Sequence, residues 1–553
     1  MDARSKVAPN ARLRILLLAA AALIVAATAA PAAAQTTCAT PALGCWKQLP
    51  NPAVTSVNAV ALKTGKTLVV NQGLVGGQQL YQLFDPVTDT FSTSAVVPVD
   101  HRLYCSGFDQ VGESGDVLFA GGLTGVHLKH ATIYHPATDT WSAQPDMVAS
   151  RFYPTVVTVS RRDLLALDGN GVSANIPERF RIRFGDWESL FHAEYGFGQP
   201  PPNDFELPNY SRFHVLSTGE LIYTGARDAA ADFTRLFDPL FETWRAPFNA
   251  PDAINGRSGV MYDSDTILKA GPTQTWTLQA TTPNAVWEQR ASMNQVRNQP
   301  FFVALPDGNV LAVGSVTTPE IWDSQADTWT SMAPASQARG DHSSAVLLPD
   351  GRVLHAGPTL TAEVYSPPYL WTAGGFLARR PAITSVTGPS PGVIQYGEEF
   401  GLVSPRGAVI DSVRLNRLGA ATHSWDMGQQ SMLLSFRPAC CDPADEPGVN
   451  GNPICFEGHT CCANGEWECN NANGTPACPT IIITPEPTEQ AQGSSPFPEP
   501  VEPIPFPAPA ICQKLLVEAP QHPYQSPPGY HYLFIVENGV PSKAKIVKAV
   551  VEP

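Results

Sequence analysis

The chain has 553 residues, enough for two or three domains with sizeable cores. Its formal charge is −15, with 35 Lys and Arg against 50 Asp and Glu. That balance argues against nucleic acid as a partner and says nothing about a neutral substrate.

From the N-terminus, Arg4, Lys6, Arg12 and Arg14 precede the apolar run ILLLAAAALIVAATAAPAAAQ, with small residues at Ala32 and Ala34. The pattern predicts a secretory signal over residues 1–34, cut after Ala34. An uncleaved anchor is the alternative, which Pro31 and the Ala-X-Ala ending weaken. No later run resembles a transmembrane span, so the expectation is a secreted, cell-surface or periplasmic protein. Export makes disulfides the default for the eleven cysteines, and an odd count leaves one sulfur over. Cys38 and Cys45 lie close enough in sequence to close a small loop, and eight more cluster between Cys440 and Cys512. Cys105 stands alone, either an inert buried thiol or a group with another use.

A turn-bearing unit then recurs: YQLFDPVTDTFS, ATIYHPATDTWS, TRLFDPLFETWR, PEIWDSQADTWT and AEVYSPPYLW. Its aromatic anchors are Phe84, Tyr134, Phe237, Trp322 and Tyr365, at intervals of 50, 103, 85 and 43. Each long interval holds one degenerate copy, around RIRFGDWESL and TQTWTLQATTPNAVWEQR. Between the anchors run SGDVLFAGG, SRRDLLALDG, STGELIYTG, LPDGNVLAVG and LPDGRVLHAG, each a polar turn, an apolar strand and a glycine. About seven units of this length predict a β-propeller over residues 35–380 with a short N-terminal lead-in. A β-sandwich is the alternative, and it leaves the period unexplained.

Over residues 381–553 strand-like alternation continues without the propeller turn, as in IDSVRLNRLGAATHSWDMGQQSMLLSFRP. This predicts an antiparallel sandwich, interrupted at about 438–511 by an insertion rich first in Cys and then in Pro.

The segments LYCSGFDQVGESGDVLFAGG, ASRFYPTVVTV, ARGDHSSAVLLPDGRVLHAG, AEVYSPPYL, ATHSWDMGQQ and PPGYHYLFIVENGVPSKAKIV, in this order, resemble the copper radical oxidases, the galactose oxidase and glyoxal oxidase family. The resemblance covers about residues 60–437 and 512–552. It implies an all-β chain: a seven-bladed kelch-type β-propeller with a C-terminal immunoglobulin-like β-sandwich. It also implies one copper ion on the propeller axis and a tyrosyl radical on a tyrosine joined to cysteine by a thioether. Matched motif by motif, that pair is Cys105 and Tyr153, and the histidine ligands are His342 and His423. The activity implied is oxidation of a small aldehyde, alcohol or carbohydrate terminus, with O2 reduced to H2O2. Imidazole and phenolate donors suit Cu(II). Consuming Cys105 in a thioether leaves ten cysteines for five disulfides.

One position departs from the family. The resemblance implies a second, axial tyrosine immediately before the propeller histidine, and this chain has Asp341 there. A carboxylate is able to bind copper and to act as a base, although its ordinary pKa of about 3.9 makes it a weaker one than phenolate. Asp341 is therefore a metal ligand, a replacement base, or a turn residue in a chain that has lost the activity. Tyr104, His101 and His214 are further candidates for the axial opening, with packing roles the plainer reading, and Trp187 is a candidate for stacking on Tyr153. The competing function is a non-catalytic propeller that binds glycan or protein. A mere scaffold has no need of Cys105, Tyr153, His342 and His423 together.

Overall fold

Each aromatic anchor of the repeat falls in the third strand of an antiparallel blade, counted from the innermost strand, and its ring is buried. The computed structural model describes residues 37–123, 125–171, 176–190, 209–227, 233–246, 248–249, 258–405, 407–428, 430–438, 460–461, 469–470 and 514–551. The signal expected at residues 1–34 lies outside them, as does the Cys/Pro-rich insertion apart from the short pair Thr460–Cys461 and Cys469–Asn470. Among the described residues, no helix is long and apolar enough to cross a membrane.

Seven blades surround a central axis. Their innermost strands are Asn58–Ala61, Gly107–Val111, Thr155–Thr158, Phe213–Val215, Ser258–Asp263, Phe301–Ala304 and Ser344–Leu347. The two degenerate repeats supply the outer strands of blades three and five. The ring is closed by Cys45–Gln48, which pairs with Ala362–Ser366 and so completes the seventh blade from the other end of the propeller sequence. A Cys38–Cys45 disulfide anchors this closing strand.

The acidic residue of the recurring Asp-Thr or Glu-Thr step has a structural reason. Asp89, Asp139, Glu242 and Asp327 all sit in the left-handed backbone region that turns one outer strand into the next. Three of their carboxylates also clasp the preceding blade. Asp139 accepts hydrogen bonds from Tyr134 (2.8 Å) and from Tyr81 (3.0 Å). Asp327 accepts from Trp322 Nε1 (2.9 Å) and the Ala291 amide (3.1 Å), and Asp89 pairs with Lys47 and Arg352 of blade seven. Buried ion pairs recur as well: Arg151–Glu178 (3.1 Å), Arg297–Glu320 (3.0 Å) and Arg339–Glu363 (2.6 Å). Glu178 and Glu320 also accept backbone amides, so the buried charges are compensated.

The C-terminal part is a two-sheet sandwich. One sheet contains Ser385–Thr387, Glu399–Val403, Lys514–Glu518 and Phe436–Pro438; the other contains Val393–Gln395, Lys545–Val550, Gly529–Glu537, Ser412–Arg417 and Ser431–Leu434. Phe436–Pro438 and Lys514–Glu518, which flank the insertion in sequence, pair with each other. The core between the sheets includes Leu402, Val413, Leu415, Val517, Leu533 and Ile535.

The sandwich also reaches into the propeller. Its hairpin Ala420–Thr422/Trp425–Asp426 adds to the innermost strand of blade one, with Ala421 opposite Ala59 and Ala420 opposite Val60. At the base of this hairpin, Arg417 donates to Asp109 of blade two at 2.9 Å, both side chains buried. Asp109 also accepts the Thr158 amide of blade three (2.8 Å). Replacing Arg417 by Met leaves that carboxylate buried without its counter-charge. Denaturant unfolding of Arg417→Met should show a loss of about 3–5 kcal/mol; an unchanged midpoint rejects the pair as a domain tie.

Candidate metal centre

His423 and Ser424 form the two-residue turn of the inserted hairpin, between the paired residues Thr422 and Trp425. Both have positive φ, +46° and +62°. This is the pattern of a type I′ turn, for which Asn-Gly is the favourable sequence. A histidine and a serine accept left-handed backbone here because the hairpin on either side is packed in the propeller core. Cys105 (φ +68°) and Tyr153 (φ +59°) are strained in the same way. Three of the four residues that carry the family resemblance thus hold a conformation ordinary packing does not favour.

A chain of hydrogen bonds sets the state of the His423 ring. Asn58 Nδ2 donates to the Leu103 carbonyl (3.0 Å), which turns Asn58 Oδ1 toward Thr422. The Thr422 hydroxyl donates to that oxygen (2.8 Å) and has no second proton. At 2.6 Å from Thr422 Oγ1, His423 Nδ1 must therefore be the donor. Nε2 is left as a bare lone pair, buried and without a hydrogen-bond partner. Burial, reinforced by His342, Arg227 and Arg212, lowers the pKa of His423 far below its ordinary value, so the ring is neutral. A neutral imidazole held through Nδ1–H is the form that ligates metals.

The ring of His423 lies 4.7 Å from His342, 5.0 Å from Tyr153, 5.1 Å from Tyr210 and 5.9 Å from Tyr104, between centroids. Cys105 and Tyr153 are mutual side-chain hydrogen-bonding neighbours, and the Tyr153 amide donates to the Cys105 carbonyl at 3.1 Å. Burial raises both groups, the thiol to about 12, and Cys105 is a free cysteine in this structure. His342 is only half buried, and that burial lowers its pKa despite the pull of Asp341. The four residues Cys105, Tyr153, His342 and His423 are brought together on the axis.

Asp341 borders the cluster but faces another partner. Its carboxylate is gripped by both arms of Arg227, Nε at 2.9 Å and Nη2 in a closer contact, while Oδ2 stands 3.6 Å from His342 Nε2. The same guanidinium lies over the Tyr153 ring, 4.9 Å from its centroid. Arg227 carries no motif in the sequence, and neither does Tyr210, whose hydroxyl is spent on the Ser106 carbonyl (2.9 Å).

Comparison with known proteins points to the same fold. The galactose oxidase-like early set domain matches residues 504–549. Galactose oxidases from Gibberella zeae, including one from a named strain, are 27% identical over 453 residues, 72% of this chain. The chain spans 65% of the length of these relatives. A solved fungal alcohol oxidase of catalytic diversity within the AA5 family, in complex with copper, superposes with a TM-score of 0.68 at 18% identity, covering 92% of this chain and all of that one. The chain is thus similar to the galactose oxidases over 72% of its length, in line with the resemblance of its motifs to the copper radical oxidase family.

The residues present fit the copper of that family. The orphaned Nε2 of His423 is a ligand-ready atom beside a second imidazole and a phenol, donors that suit Cu(II). Among the described residues no three His, Cys, Asp or Glu side chains gather as a metal-holding group. The other sequence candidates divide. Tyr104 is at the centre. His101 has its ring nitrogens against Thr132 Oγ1 (2.9 Å) and the Gly121 carbonyl (2.7 Å), and His214 packs edge-on to Trp425. Trp187 packs on Phe180 in the outermost strand of blade three, and the group over Tyr153 is Arg227.

The tautomer is directly measurable. Nitrogen NMR of the metal-free protein at neutral pH should show a protonated Nδ1 and a bare Nε2 on His423. Thr422→Val removes the acceptor and should mix the two tautomers; a protonated Nε2 in the unaltered chain overturns the relay.

Proposed function

We propose that this chain is an exported copper radical oxidase that oxidises a small aldehyde or primary alcohol, sugar termini included, and reduces O2 to H2O2. The observation that carries the reading is the bare, buried Nε2 of His423 facing His342 and Tyr153. Tyr153, His342 and His423 hold the copper, and Cys105 forms the thioether to Tyr153. When bound, the metal and the oxidised tyrosine supply the two one-electron acceptors that a two-electron oxidation needs.

The chain's own residues do the rest. Burial keeps both imidazoles neutral, so their lone pairs are available at ordinary pH. Forming the crosslink breaks the Cys105 S–H and one Tyr153 ring C–H and makes an S–C bond; two protons leave, and O2 takes the two electrons. The half-buried His342 and Asp341 mark the side from which substrate enters. The sequence offers Asp341 as ligand or base. Its two-armed pairing with Arg227 favours a positioning role, fixing the guanidinium over Tyr153.

Aerobic copper loading should lower the intact mass by the two hydrogens of the crosslink and yield a Cys105–Tyr153 peptide that survives reduction. A peroxide-coupled assay over primary alcohols, aldehydes and galactosides should show turnover. Copper binding with none on any of them moves the protein to the non-catalytic propeller reading.

Because the ligands come from both propeller and sandwich, metal should stabilise the fold by about 2.7 kcal/mol at a hundredfold excess over Kd. His423→Ala should lose most of that gain in a melting experiment; an unchanged thermal response removes His423 from the ligand set. Asp341→Asn should keep copper and lower turnover about 10–100-fold by loosening Arg227. Unaltered turnover there leaves Asp341 as a turn residue.

A further inference from the structure

Tyr104 immediately precedes Cys105, and both side chains reach Tyr153. Its hydroxyl oxygen is 3.0 Å from His342 Nε2, closer to that nitrogen than Asp341 Oδ2 at 3.6 Å. Its ring lies 5.7 Å from the His342 ring and 5.9 Å from that of His423. Gln72 Nε2 donates to the same phenol oxygen at 3.1 Å, so the phenol is held by a second residue. The whole arrangement joins residues 238 positions apart in sequence.

We propose that Tyr104 is a fourth donor of the centre, a second phenol oxygen supplied by the loop entering blade two and not by position 341. The inference rests on the copper reading above and adds a ligand to it. Two donors each about 2.0–2.2 Å from one cation and at right angles stand about 2.8–3.1 Å apart. The Tyr104–His342 separation of 3.0 Å falls in that range. The same distance is a hydrogen bond, which holds both atoms at ligand spacing. Asp341 lacks this freedom, since both its oxygens are engaged by Arg227.

The test is copper titration of the unaltered apoprotein, Tyr104→Phe and Asp341→Asn, read by chelator competition, by electron paramagnetic resonance and by the visible phenolate-to-Cu(II) absorption. Tyr104→Phe should weaken copper about 10–100-fold and remove one phenolate component of the absorption. Asp341→Asn should keep both components. Resonance Raman spectroscopy of the unaltered, crosslinked protein supplies a reading that needs no variant. It should show ring modes of two phenolates, one thioether-bearing and one plain. Modes of the crosslinked tyrosine alone, or a Tyr104→Phe protein with unchanged affinity and absorption, overturn the assignment while leaving the copper reading in place. An unaltered chain that takes up no copper overturns both.

Discussion

The backbone pairing of Ala420 and Ala421 with Val60 and Ala59 is the constraint on which the centre depends. Without it the His423 turn would have no backbone tie to the innermost strands of the ring. With it, the turn of a sandwich hairpin lies against the innermost strands of the ring. Left-handed backbone at His423 and Ser424 costs on the order of 1–3 kcal/mol per residue. Burial of Ala420, Ala421, Trp425 and Met427 against propeller side chains offsets that cost. The Arg417–Asp109 pair then fixes the hairpin's root, so the turn is held at both ends.

The same pairing explains how a weakly favourable turn sequence becomes a precise one. Asn58 belongs to the strand that receives the hairpin, and Thr422 to the hairpin itself. Their hydrogen bond forms only when the two domains are docked, and it is this bond that commits the one hydroxyl proton and fixes the His423 tautomer. Domain docking and ligand readiness are therefore one event, not two.

Much of this was legible in the sequence, for identifiable reasons. The period of the repeat and its buried aromatic anchors report strand order within a blade, which is local. Cys105, Tyr153, His342 and His423 stood out because each lies in a motif of a recognisable family. The rest depends on contacts between blades that no local pattern encodes. Arg227 sits in YTGARDAAA, with nothing to mark it, yet meets Asp341 across 114 residues. Tyr210 is placed by packing on Tyr153 and His423, and the recurring Arg–Glu pairs couple a loop arginine to a third-strand glutamate. Trp187 was a candidate by residue type alone; its place in an outer strand shows that an indole near the right sequence position says little about the axis.

Charge balance ties Asp341, Arg227 and the phenols into one account. A cluster this buried tolerates net charge poorly. A divalent copper ion and Arg227 together bring three positive charges. Phenolates at Tyr153 and Tyr104 with the Asp341 carboxylate bring three negative ones, so the proposed ligand set is neutral. With Tyr153 as the sole phenolate, one positive charge is left over in a site that Arg212, behind His423 with its Nη2 on the His423 carbonyl (3.2 Å), already makes more positive. Asp341 supplies one of these negative charges, and Arg227 engages both of its oxygens. On the proposed reading, a second phenol oxygen near His342 would offer copper an anionic donor without stripping Arg227 of its partner.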